Sequence, residues 1–264
     1  MKKYLNLLKY EFKTIFKDSM NLFMIIYPFM MLGILAFLIP ETIKSAGETA
    51  SRVVLLISLA LALVMGSYIS GVLLGFSLIE NKDENTILSI AVTPVSIKGY
   101  TFFKIIYAFL LSILSNIILL GGLKLFANEQ YVIILGEYSI HLLDNLSWGK
   151  TLIFAIVNSF FVPTVALLLG TYSKNKIEGF AFVKGGAIFI MLPVLSLLNI
   201  FKNAKQYLLG ILPNFWPIKA MMNEATMSSE QSNLNYYLYM LIGGLYFLII
   251  FIFTFRLYLK RMKN

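Results

Sequence analysis

Six long apolar runs separated by short polar stretches dominate the chain: 22–39, 53–79, 102–125, 151–169, 177–200 and 236–255. A helix rises ~1.5 Å per residue, so about 20 apolar residues cross a hydrocarbon core of ~30 Å. Each run meets that length approximately. The pattern predicts an all-α membrane protein with six transmembrane helices in a single transmembrane domain, 1–264. The second run is longer than a span needs, which tilt or extension beyond the bilayer accommodates. The fifth carries Lys184, whose apolar stem can reach back to the nearer interface.

Two further segments depart from the spanning pattern. In 1–19, Tyr4, Leu5, Leu8, Phe12, Ile15 and Phe16 fall on one helical face and Lys2, Asn6, Lys9, Lys13 and Lys17 on another. This predicts an amphipathic interfacial helix, with Phe12 and Phe16 in the headgroup boundary and Lys9, Lys13 and Lys17 facing anionic membrane lipid. A cleavable signal peptide is the competing reading of a basic arm before an apolar run, and the length of both disfavours it. Between the last two runs, 201–235 holds an apolar, aromatic centre that is too short to span and is interrupted by Pro213 and Pro217. With Trp216 at an interfacial position, it reads as an outer re-entrant segment in which both prolines break any continuous helix. An ordinary loop lying on the membrane is the alternative.

Inside the spans, Ser67, Gly71 and Gly75 recur at every fourth position, a stripe on which a second helix can pack closely. Ser58, Ser70, Asn116, Asn158 and Thr164 are polar but neutral; such groups bond across helices or line a path. Apart from Lys184 no ionisable side chain is central to a span, so no proton relay or ion-coupling carboxylate is evident.

Composition agrees with a bilayer as solvent: 59% of the 264 residues are hydrophobic and 13% charged, with a mean hydropathy of +0.80. The net charge of +9 is distributed as a topology signal rather than as a nucleic-acid surface. Of 22 lysines and arginines, fifteen fall on the side of the two termini and of the loops after the second and fourth spans, and seven on the other. Both termini are therefore expected in the cytoplasm of a multi-pass plasma-membrane protein. Without cysteine, and with His141 the single histidine, neither a thiol nucleophile nor a metal site is expected. The chain contains no GxxxxGK[ST] phosphate loop, HExxH pair or GxSxG turn, so no catalytic residue, metal ligand or cofactor site is assigned to it.

The stretch 80–99 is a charged interruption on the cytoplasmic side. Glu80 closes the second span, Lys82, Asp83 and Glu84 follow, and Asn85-Thr86 can cap a short half-apolar helix over 87–92 that ends at Thr93-Pro94. The run ENKDENTILSIAVTPVS, with Lys104 beyond it, resembles the cytoplasmic loop of type-2 ABC exporter permeases. Glu84, Thr86, Leu88, Thr93, Pro94, Val95 and Ser96 match, and Asn85 stands where that family has glycine. The arm leading through Asp18 into a first span with Pro28 is similar as well. The resemblance implies a non-catalytic membrane subunit of an ATP-driven exporter. Its partners would be an ABC ATPase subunit carrying the ATP and Mg, and a second permease subunit, the same or homologous. It also implies that 80–99 is a coupling loop, with Glu80, Glu84, Thr86, Leu88, Thr93 and Pro94 at the ATPase contact. The cargo would be drug-like, lipid-linked or peptidic. A channel or secondary carrier, an intramembrane enzyme, and a non-transporting immunity or sensor subunit are the competing readings.

Overall fold

The computed structural model describes residues 19–83, 96–228 and 230–262. Six helical segments in them are long and apolar enough to cross a membrane. The expected interfacial helix, with Lys9, Phe12, Lys13, Phe16 and Lys17, lies outside the described residues, as do Glu84, Thr86, Leu88, Thr93 and Pro94.

The first span, Ser19–Ile43, is α1 (Ser19–Gly33), a π turn over Ile34–Leu38 and α2 (Ile39–Ile43). Helix α3 (Glu48–Asp83) is 36 residues long, about 54 Å at ~1.5 Å per residue, and so overshoots the bilayer core. Helix α4 (Ile97–Phe126) begins at Ser96, whose Oγ accepts from the Gly99 amide at 3.1 Å, satisfying one of the free first-turn donors.

The fourth span differs from the single run expected over 151–169: it is α5 (Trp148–Ser159) and α6 (Phe161–Tyr172), joined at Phe160. Pro163 explains the break. It cannot donate to the carbonyl of Ser159, and its ring crowds that carbonyl. The fifth span is α7 (Lys176–Met191) followed by a 3₁₀ turn over Leu192–Leu197, which holds Pro193. The last span, α9 (Tyr236–Arg261), starts at Asn235, whose Oδ1 accepts from Leu238 N at 2.7 Å.

An antiparallel hairpin, β1 (Val132–Leu135) and β2 (Tyr138–His141), joins the third and fourth spans, with Leu135 opposite Tyr138. Its two-residue turn is possible because Gly136 takes φ 62°. Above it Tyr131 donates to Leu35 O at 2.9 Å. Burial pushes its hydroxyl well above the ordinary tyrosine pKa.

Before α9, the chain forms a 3₁₀ helix over Asn203–Ile211 and then α8 (Phe215–Ala225). Pro213 sits in the turn between them. Pro217 does not break a helix as expected. It occupies the first turn of α8, where no intrahelical N–H is required. Phe215, Ile218, Met221 and Ala225 are all buried in the main core.

Helices α3 and α6 form the centre of the bundle, packed along each other, with α4 on α3 and α9 on α6. Helix α7 is peripheral: only 11% of its spanning window is buried within the chain.

Candidate functional site

Three regions carry the polar chemistry of the bundle. The first is an interior network across α1, α3, α4 and α5. Tyr27 donates to Gly66 O at 2.7 Å and lies 2.6 Å from Ser115 Oγ and 3.1 Å from Ser70 Oγ. Asn116 Nδ2 donates to Ser67 Oγ at 2.9 Å, and Asn158 Nδ2 to Asn116 Oδ1 at 3.1 Å and Leu63 O at 2.9 Å. Ser159 and Ser112 close the group at 3.0 Å. Hydrocarbon offers no water to such groups, so each must find its partner in the protein. They are buried and contain no carboxylate or ammonium, which suits fastening helices better than conducting an ion. Gly66 makes room for this: a Cβ there would stand 2.4 Å from Asn116 Oδ1.

Of the polar residues singled out in the sequence, Ser70, Asn116 and Asn158 join this network. Ser58 donates within its own helix, to Val54 O, and Thr164 Oγ1 has no hydrogen-bond partner among the described residues. Tyr27, Ser112, Ser115 and Ser159 were missed. The Ser112–Asn116 spacing of four, one helical face, was the available signal.

Ser67, Gly71 and Gly75 are divided between two neighbours. Ser67 belongs to the network. Gly71 and Gly75 lie against α6, where a Cβ would stand 2.9 Å from Val165 Cβ and 2.8 Å from Leu169 Cβ respectively.

The second region is where α3 runs into 84–95. Glu80 pairs with Lys176 at the start of α7 at 2.7 Å. Two residues further along α3, Lys82 donates to Gly170 O at the end of α6, and Arg261 from the end of α9 donates to Thr171 O at 2.9 Å. Two cations thus meet the unpaired carbonyls and negative dipole end of α6. Lys82 also stands over the Tyr258 ring and Arg261 over that of Tyr172. Lys104 of α4 donates to Ser77 Oγ at 2.7 Å. The helix that follows 84–95, α4, is therefore tied to α3, and α3 to the end of α6 and the start of α7. Of the residues expected at the ATPase contact, Glu80 alone is described.

The third region lies at the opposite end. Lys150 pairs with Glu224 at 2.5 Å, and Tyr236 donates to Lys150 O. Of the residues expected to re-enter the membrane, Trp216 donates to Gly210 O at 3.0 Å and stacks beside Tyr207, while Pro217 lies against Gly243 of α9. Lys219 is buried in α8 and has no salt bridge among the described residues. Burial lowers its pKa, and the charge of Glu230 opposes that effect. Among the described residues no three His, Asp or Glu side chains converge as a metal site would require. Lys184 is exposed on α7.

No curated protein and no solved structure matches the chain. The family model described as fluoroquinolones export permease protein Rv2686c-like matches residues 11–255, a range that takes in the first five spans, all but the last turns of the sixth, and the whole of 80–99. The chain belongs to the Rv2686c-like fluoroquinolone export permease family, an ABC-transporter permease family.

Proposed function

We propose that the chain is the membrane half of an ATP-driven drug exporter, moved by a separate ATPase that grips 80–99. The observation that carries this reading is the convergence on the end of α3: Glu80 with Lys176, and Lys82 with Gly170 O. A push on 84–95 enters α3 directly. Through these contacts it reaches α6 and α7 without crossing a flexible linker. A rigid helix pair tied at one end is suited to switching between two packed arrangements, each favoured by a different state of the motor.

In this reading both termini and 80–99 are cytoplasmic, as the 15-to-7 split of basic residues favours. The arm 1–19 lies on the inner surface, and 201–235 dips into the membrane from the outside, beneath Trp216 and Pro217. A second permease subunit covers α7. That helix leaves Phe180 and Ile188 exposed, and Gly185 has no neighbour within 4 Å of an added Cβ, which allows close backbone approach. The ATP and Mg belong to the ATPase.

Co-purification tests the motor contact. Replacing Leu88 and Pro94 with glutamate is expected to abolish capture of the ATPase subunit while membrane insertion persists. Full capture by the double variant refutes the contact.

A further inference from the structure

We propose that an apolar cavity within one subunit, between α3, α6 and α7 and open along α7, is a binding site for a flat aromatic molecule such as the fluoroquinolone ring system. The proposal rests on the drug-export reading above and names the place where the drug sits.

The chamber has a volume of about 320 Å³ and an almost wholly apolar wall. Tyr68 and Phe161 form its inner side, Phe182, Gly186 and Phe189 its α7 side, and the Leu212–Asn214 turn closes one end. Four aromatic rings around one small space favour a ligand with π faces of its own, through stacked or edge-on contacts. The volume is that of a small-molecule site, too small for a helix about 10 Å across. No charged side chain lines it, so an ion or a lipid headgroup finds no partner there, and of the drug only the apolar ring system enters, its carboxyl and amine groups staying at the open side.

Two hydrogen bonds hold the wall that would have to move. Tyr68 donates to Val183 O at 3.2 Å, and Asn214 Nδ2 donates to Ile190 O at 2.9 Å. They fasten α7 to α3 at one point and to the Leu212–Asn214 turn at the other. Helix α7 is also the span joined to Glu80 through Lys176. A displacement of the end of α3 therefore reaches the α7 wall of the chamber, and the 212–214 turn is the lid facing outward in the orientation proposed above.

The test is fluorescence titration of norfloxacin against the purified chain in phospholipid nanodiscs. Gly186→Trp fills the chamber from a position where an added Cβ meets nothing. It is expected to weaken binding at least about tenfold. Phe189→Ala, a change at an exposed ring that does not threaten folding, is expected to weaken binding about threefold to tenfold. Leu208→Trp, at an exposed position that does not line the chamber, is expected to leave binding unchanged. Unaltered norfloxacin affinity in Gly186→Trp and Phe189→Ala overturns the proposal, and so does absence of binding to the unaltered chain. Loss of a co-purifying lipid from Gly186→Trp with drug binding intact assigns the chamber to an acyl chain and also overturns it. Efflux in cells, measured in parallel, separates the two claims. ATP-independent efflux defeats the motor reading whatever the chamber binds, whereas ATP-driven efflux with normal binding to the filled chamber defeats this site alone.

Discussion

Gly66→Ala is a change of one methyl group whose cost can be worked out from the interior network. The added Cβ would stand 2.4 Å from Asn116 Oδ1 and 2.9 Å from Asn116 Cγ, so the amide must move. Moving it breaks the bond from Asn158 Nδ2 to Asn116 Oδ1 and the bond from Asn116 Nδ2 to Ser67 Oγ. Interhelical bonds of this kind in membrane bundles are worth about 0.6 kcal/mol each on average, so the two together contribute ~1 kcal/mol. Forcing extra volume into a close-packed site adds about 1–3 kcal/mol. The expected destabilisation is therefore ~2–4 kcal/mol, read as a lowered midpoint in thermal unfolding of the detergent-solubilised chain. Gly33→Ala is the control. Gly33 has helical φ −57° and ψ −44° and no atom within 4 Å of an added Cβ, so alanine there is expected to stabilise by about 0.5–1 kcal/mol. Gly66→Ala combined with Asn116→Ala is expected to recover much of the loss. If Gly66→Ala falls within about 0.5 kcal/mol of the unaltered chain, Gly66 is not a seat for Asn116 and the reasoning fails.

Three further outcomes are expected. Lys219 has its pKa lowered by burial in the folded chain, so the unfolded chain binds the extra proton more readily. Folding stability should therefore rise as pH climbs from the folded pKa to the unfolded value near ~10.4. Unfolding midpoints across that window should climb for the unaltered chain and stay flatter for Lys219→Met; equal slopes refute the assignment. Glu80→Lys and Lys176→Glu should each reduce efflux per ATP hydrolysed while altering stability by no more than about 1 kcal/mol, because the pair is partly exposed. The double swap should restore the ratio, and failure of rescue would show that the pair does not transmit. Gly75→Val should lower thermal stability more than Gly185→Val, because an added Cβ meets Leu169 at 2.8 Å in one case and open space in the other; equal midpoints would refute close packing of α3 on α6.

The six spans were legible because each needs only length and apolar content, and those survive any arrangement of neighbours. Their breaks were legible in principle too: Pro163 and Pro193 each end a regular turn for reasons local to proline. The hairpin over 132–141 went unread, although Gly136-Glu137 between Leu135 and Tyr138 is a two-residue turn signal. In an apolar chain its strands look like more membrane-facing residues. Pro217 was misread in the other direction, since a proline is harmless in a first turn and only the start of α8 at Phe215 reveals that it occupies one. The interior network was half visible. Serines and asparagines are countable in the sequence, but the meeting of Tyr27 with Ser115 across 88 positions depends on how α1 and α4 cross. Lys82 read only as one of the charges that follow Glu80, and its partner, the Gly170 carbonyl, is a backbone group with no sequence signature.

The most direct test of the central claim is transport in proteoliposomes containing the chain and its ATPase, with no ion gradient imposed. The account predicts that norfloxacin moves across the membrane only when ATP and Mg are supplied on the face exposing 80–99, and that Leu88→Glu with Pro94→Glu abolishes this movement. Movement driven by an ion gradient with ATP absent, or by the chain without the ATPase, would contradict it.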